Sequence, residues 1–65
     1  MKVRFLKNWV GEVEKKRLQE VWDVSYSKWT ELTVEDLKTD GESADLVTYE
    51  GDTVLAVPLD AFQKI

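Results

Sequence analysis

The sequence predicts one small domain over residues 1–65 that is mainly β or α+β. At the start of the chain, apolar residues alternate with charged ones, which is the period-two pattern of a half-buried strand. Near the end of the chain, two β-branched segments flank a turn that contains glycine, as in a hairpin. The charged stretch between them contains one helix-start signal. We therefore expect a compact antiparallel sheet or a small barrel, with a short helix after Thr33.

The first half of the chain contains one clear strand and one ambiguous segment. Lys2–Leu6 is predicted to be a strand, and Gly11 to mark a turn. Glu12–Val24 fits either an amphipathic helix or, in its second part, a strand with aromatic and β-branched residues. We predict a charged loop or a short helix at Glu12–Gln19 and a strand at Glu20–Tyr26.

A short helix is predicted after Thr33. This threonine is a good N-cap residue, and Asp36, three residues later, completes a weak variant of the capping box. Glu35 and Asp36 also lie where the helix dipole favours negative charge. Gly41 fits a C-terminal stop. One or two turns of helix fit between these signals.

The last third of the chain gives the clearest pattern. Asp45–Tyr49 and Thr53–Val57 are predicted to form a hairpin, in which Gly51 supplies a positive φ at no steric cost. Thr53–Val57 is largely apolar on both faces, which indicates an interior strand. Proline has no N–H for a ladder, so Pro58 ends this strand. The remaining predictions are one 3₁₀ turn that buries Leu59 and Phe62, and a last short strand at Gln63–Ile65.

Thus the chain ends with a hairpin strand, the step Val57-Pro58, the turn Leu59–Phe62 and the short strand Gln63–Ile65. This order resembles the last third of an SH3-like barrel, which implies a small β-barrel fold. The tandem tryptophans and the opening Ala-Leu-Tyr-Asp-Tyr strand of that family are absent, so its peptide-binding residues are not transferred. The opening MKVRFLKNWVG is similar in style to small bacteriophage and prophage proteins, which implies a mobile-element origin.

The composition restricts the chemistry that is available. The chain has no histidine and no cysteine, so the commonest general base and every thiolate nucleophile or ligand are missing. Glu31/Glu35 and Asp36/Asp40 would pair on a helix, but their hydrophilic surroundings predict a solvated face. Asp40–Asp45 has oxygen ligands and a glycine without the alternation of a calcium loop. We expect no enzymatic activity, no cofactor and no metal site.

The charge is −4 overall and unevenly distributed, with basic residues before Trp29 and acidic residues after it. Either the protein has a basic and an acidic face, or the two halves fold against each other. A basic N-terminal half could bind nucleic acid, with Trp9 or Trp22 stacking on bases, but the net charge disfavours this. The residues of that basic set are Lys2, Arg4, Lys7, Lys15, Lys16 and Arg17.

A second use of charge is imitation of nucleic acid. Carboxylates on one surface could take the place of duplex phosphates and occupy the basic groove of a DNA-binding protein. This hypothesis describes an acidic inhibitor of a nucleic-acid-handling or defence enzyme. The acidic series is Glu31, Glu35, Asp36, Asp40, Glu42, Asp45, Glu50 and Asp52.

The leading functional prediction is a non-enzymatic protein-interaction module, of phage or mobile-element type, that binds a larger protein or itself. Three tryptophans are many for 65 residues; we expect Trp22 in the core and at least one of Trp9 and Trp29 partly exposed. No apolar run is long enough to span a membrane, so a cytoplasmic location is expected. The predicted partner-binding residues are Trp9, Trp29, Glu31, Glu35, Asp36, Asp40 and Glu42.

Overall fold

Eight β-strands and a single 3₁₀ turn form the fold, and the computed structural model describes all residues from 1 to 65. The protein is therefore mostly β, as the sequence predicts. The one helical segment is a single turn, and the protein has no helix that is long and apolar enough to cross a membrane. The strands are β1 Lys2–Phe5, β2 Trp9–Lys15, β3 Glu20–Tyr26, β4 Glu31–Thr33, β5 Asp36–Thr39, β6 Ser43–Val47, β7 Asp52–Pro58 and β8 Phe62–Lys64.

The smaller of two antiparallel sheets has three strands in the order β4-β1-β8. In its central strand β1, Val3 and Phe5 are fully buried while Lys2 and Arg4 are not. This is the alternation that the sequence predicts for Lys2–Leu6, and the strand ends one residue earlier than expected.

The larger sheet has five strands in the order β3-β2-β7-β6-β5. β6 and β7 form the predicted hairpin, and Gly51 in its turn has a φ of 89°. β7 lies between β2 and β6, so the prediction of an interior strand is confirmed. Its neighbours supply hydrogen-bond partners along both of its edges, while Val54 and Val57 face the core and Leu55 lies half-buried on the opposite side.

A β-bulge changes the alternation within the β6–β7 hairpin. The pairing shifts between Ala44 and Leu46, and Ala56 adopts a left-handed φ of 52°. Asp45 Oδ1 accepts a hydrogen bond from the Ala56 N–H at 2.9 Å. The extra residue turns both Val54 and Val57 into the core, although simple alternation places these two residues on opposite faces.

The core lies between the two sheets and is entirely apolar. No buried polar side-chain atom lacks a hydrogen-bond partner. The buried residues are Val3, Phe5, Val13, Val34, Ala44, Leu46, Val54, Val57, Ala61 and Phe62, and Phe5 is the largest that is fully enclosed.

The end of the chain follows the prediction closely. Leu59–Ala61 forms the 3₁₀ turn, and β8 pairs with β1. The last strand begins one residue earlier than expected, at Phe62. Phe62 is buried as predicted, whereas Leu59 is 41% exposed, so that half of the prediction is wrong.

The predicted helix after Thr33 is wrong, because this stretch contains strand β5. The Val34 N–H donates to the Met1 carbonyl at 2.8 Å, and the Glu35 N–H donates to the Val47 carbonyl at 2.7 Å. These long-range bonds and the burial of Val34 outweigh the local capping signal, which is a weak determinant of structure. Glu31/Glu35 and Asp36/Asp40 therefore share no helix face.

The segment Glu12–Gln19 is also different from the prediction. Its first four residues continue β2, and Gly11 lies inside that strand rather than at a turn. The actual turn is Lys16–Gln19. Glu and Lys favour helices only weakly, and burial of Val13 between two neighbouring strands decides in favour of the sheet. Trp22, expected in the core, is 46% exposed.

Candidate functional site

The predicted partner-binding residues do not form one patch. Trp9 begins β2, and Trp29 lies in the connection between β3 and β4. The carboxylates from Glu35 to Glu42 lie around β5, at the far edge of the larger sheet. Two strands, β7 and β6, separate β2 from β5, so the tryptophans and most of these acids cannot contact one compact ligand together.

Trp9 belongs mainly to the packing of the core. Its ring stacks on Phe5 at 5.9 Å and on Tyr26 at 6.4 Å between ring centroids, and Phe5 and Tyr26 are 4.9 Å apart. The indole also lies directly over Gly11, where a Cβ would overlap its Cζ2 and Cη2 atoms. Burial raises the pKa of the Tyr26 phenol, an effect to which the Asp52 carboxylate adds and which Lys15 opposes.

Of Trp9 and Trp29, Trp29 is the exposed one, at 59%, so the expectation that at least one of this pair is partly exposed is confirmed. Its φ of 76° is left-handed, which is a strained conformation for a bulky residue. Two hydrogen bonds tie the loop to the segment Phe5–Asn8: the Trp29 N–H donates to the Phe5 carbonyl, and the Lys28 N–H donates to Asn8 Oδ1, both at 2.8 Å. The Lys28 ammonium lies 4.8 Å above the indole.

Three of the five predicted acidic residues already have partners within the protein; one of them is Asp36, whose Oδ1 accepts a hydrogen bond from the Leu37 N–H at 2.8 Å. Glu31 accepts hydrogen bonds from Arg4 on β1, the shorter at 2.8 Å. Asp40 Oδ1 accepts hydrogen bonds from the backbone N–H groups of Glu42 and Ser43 at 3.1 and 3.0 Å. Both bonds lower the pKa of Asp40 below its ordinary value of 3.8, and the bond from the Ser43 N–H has the larger effect. Asp40 therefore stabilises the β5–β6 turn.

We expect the contribution of Asp40 to stability to depend on pH. Its pKa is lowered by folding, so the ionised carboxylate stabilises the native state above the ordinary value of 3.8. As pH falls below this value, the unfolded state takes up the proton first and the contribution is lost. Thermal unfolding of wild type and Asp40→Ala should differ at neutral pH and converge in acid. A difference that stays constant from neutral pH into acid would contradict this role.

The basic N-terminal half folds against the acidic half. Three ion pairs join them: Arg4 with Glu31 at 2.8 Å, Lys7 with Asp60 at 3.4 Å, and Lys15 with Asp52 at 2.7 Å. The Lys15 ammonium also lies 4.9 Å from the ring centre of Trp22. Half of the basic set that could have contacted nucleic acid is thus engaged within the protein.

A different surface combines charge with exposed apolar side chains, and sequence reasoning missed it. We call it the outer face: the side of the five-stranded sheet opposite the core. Strand pairing aligns its side chains in rows across the strands. The first row is Val21, Glu14, Thr53, Val47 and Asp36; the second is Asp23, Glu12, Leu55, Asp45 and Lys38; the third is Ser25 and Val10.

The outer face holds the entire net charge of the protein. It has five carboxylates and one lysine, a formal charge of −4, which equals that of the whole chain. The remaining eight acidic and eight basic side chains cancel. The negative potential of the protein is therefore concentrated on one side of the larger sheet.

The outer face has one destabilising contact and two exposed apolar side chains. Glu12 and Asp23 lie directly opposite each other on β2 and β3, and like charges in this position are destabilising. On the same two strands, Val10 is 76% and Val21 is 54% exposed. The pattern Val-Gly-Glu-Val-Glu beginning at Val10 alternates with period two, and this signal could have identified the face from the sequence.

The described side chains include no group of three or more acidic residues placed to hold a metal ion. Comparison with protein-family models, with curated proteins and with solved structures found no match. The functional assignment therefore depends on the geometry of the surface itself.

Proposed function

We propose that this protein is a non-enzymatic protein-interaction module that docks its outer face against a basic protein surface. The concentration of the whole net charge of −4 on this one face is the observation that supports the proposal. The opposed carboxylates Glu12 and Asp23 supply a reason for binding, since a lysine or arginine placed between them would remove their mutual repulsion.

The outer face also has an apolar component. Val10 and Val21 are exposed, and Leu55 lies beside Glu12 in the middle of the sheet. Apolar side chains among carboxylates suit a partner that presents Lys or Arg side chains, whose methylene stems cover apolar surface while their ends meet the acids. Charge complementarity raises the association rate and the specificity of such an interface, and its affinity falls as the salt concentration rises.

The partner is defined by chemistry rather than by name. A basic groove that normally holds nucleic acid is one such surface, so inhibition of a nucleic-acid-handling enzyme would be one form of this function. The acidic series predicted for that role is dispersed, however, with Asp52 paired to Lys15 on the core side and Asp40 used in a turn. The outer face replaces that series as the proposed contact surface.

A decalysine peptide is a suitable probe of the outer face. We expect amide chemical shifts in ¹⁵N-labelled protein to change most at Val10–Glu14 and Val21–Ser25. The variant Glu12→Gln/Glu14→Gln/Asp23→Asn should bind the peptide at least about threefold more weakly, because each of the three lost charge contacts contributes about 0.2–1 kcal/mol at an exposed site. Raising the salt concentration should weaken wild-type binding.

The matched control is Glu35→Gln/Glu42→Gln/Glu50→Gln, which removes the same three charges from exposed positions outside the outer face. Binding reduced equally by both triple variants would mean that the peptide senses only net charge, and the proposal would then be wrong. Shift changes centred on the turn around Asp40 would also contradict it.

A further inference from the structure

The larger sheet has an open edge at β3, a strand of seven residues. β3 pairs with β2 over its whole length without a bulge. Beyond that ladder, no backbone or side-chain group of the protein bonds to the main chain of Glu20–Tyr26. Alternate N–H and C=O groups along this edge therefore point away from the sheet without a protein partner.

The other three edge strands are protected in ways that β3 is not. β4 and β8 have three residues each and β5 has four. Lys38 lies on β5 and Lys64 on β8, and a short strand with lysine is a usual defence against pairing with another chain. β3 contains neither lysine nor proline, and it presents Val21, Trp22 and Val24. It is therefore the edge best suited to strand addition.

We infer that β3 pairs antiparallel with β3 of a second copy of this chain, about a two-fold axis at Val24. This inference is independent of the proposed function. Pairing in this register extends the five-stranded sheet to ten strands. Even-numbered residues lie opposite even-numbered ones and odd opposite odd, so the outer faces of both copies lie on the same side of the sheet.

The register follows from the complementarity of β3 and the residues after it. With Val24 opposite Val24 of the second copy, Trp22 meets Tyr26, an aromatic cross-strand pair. Asp23 meets Ser25, which can donate a hydrogen bond to the carboxylate. Beyond the paired strand residues, Glu20 faces Lys28 of the second copy, which lies in the turn two residues after β3, and the symmetry forms this ion pair twice. A register centred on Asp23 would instead oppose two carboxylates, and one centred on Trp22 would place Glu20 opposite Val24.

The test is a charge exchange at exposed positions. Lys28→Glu places a carboxylate opposite Glu20 at both ends of the paired strands, and Glu20→Lys places two ammonium groups there. We expect each single variant to raise the dimer dissociation constant by about two- to thirtyfold, since each of the two symmetric charge pairs contributes about 0.2–1 kcal/mol. The double variant Glu20→Lys/Lys28→Glu should restore wild-type association. Lys64→Glu is the control with the same charge change elsewhere.

Sedimentation equilibrium up to about 1 mM protein, the range of weak association, measures these constants directly. A protein that remains at its monomer mass of 7.5 kDa throughout would overturn the inference. So would a dimer that the charge exchange leaves unchanged. Amide hydrogen exchange gives an independent measurement. Protection of the β3 amides should rise with protein concentration. A rise at the β5 amides instead would contradict pairing through β3.

Discussion

Phe5→Ala should lower the free energy of unfolding by about 3–5 kcal/mol. Phe5 is the largest fully buried side chain, at the centre of the smaller sheet, and it stacks on Tyr26 and Trp9. Truncation of a buried phenylalanine costs about 3–5 kcal/mol, because contacts are lost and a cavity remains. A domain of this length has a total free energy of unfolding of about 3–10 kcal/mol. The substitution therefore removes a large share of the available stability.

Urea unfolding followed by circular dichroism measures this effect. Tyr49→Ala is the matched control, because Tyr49 is an aromatic residue that is mostly exposed in the β6–β7 turn; it should change stability by less than about 0.5 kcal/mol. If Phe5→Ala unfolded with the same midpoint and the same slope as Tyr49→Ala, the described core would be incorrect.

Gly11→Ala should destabilise the protein by about 1–3 kcal/mol, as overpacking generally does. In most extended positions this substitution stabilises, because alanine restricts the unfolded chain. Here the new Cβ would overlap the indole of Trp9. The ring cannot move away freely, since its stacking with Phe5 and Tyr26 holds it over the strand.

A double-mutant cycle isolates this contact. A Trp9→Ala background removes the three atoms nearest to the new Cβ, so Gly11→Ala should become neutral or slightly stabilising. A cost that is the same in both backgrounds would show that Trp9 is not its cause. Near-ultraviolet circular dichroism of Gly11→Ala should also show a weaker tryptophan signal, because the stack with Tyr26 is disturbed.

The sequence predicts most reliably those elements that local chemistry determines. Gly51 marks the β6–β7 turn, and Pro58 precedes the 3₁₀ turn, because backbone geometry limits what these residues can do. Glu12–Lys15 and Asp36–Thr39 are different. Their side chains suit helix and strand almost equally, and pairing with strands far along the chain decides their structure.

The candidate surface was harder to predict than the fold. Glu12 and Asp23 are eleven residues apart in the sequence, and only the register of β2 and β3 places them opposite each other. If Glu12–Gln19 is interpreted as a helix or a loop, Glu12 and Asp23 are not expected to lie opposite each other. The predicted acidic series failed as a patch for the same reason, since neighbours in sequence such as Glu31 and Asp36 belong to different sheets.

The pairing of β1 with β8 has a consequence for synthesis in the cell. Val3 pairs with Lys64, so one flank of β1 stays without its neighbour until β8, about 60 residues later in the chain, has been synthesised. At a translation rate of about 5–20 residues per second, that interval is several seconds. Hydrogen bonding across the smaller sheet is therefore completed only once β8 has been synthesised and has left the ribosome.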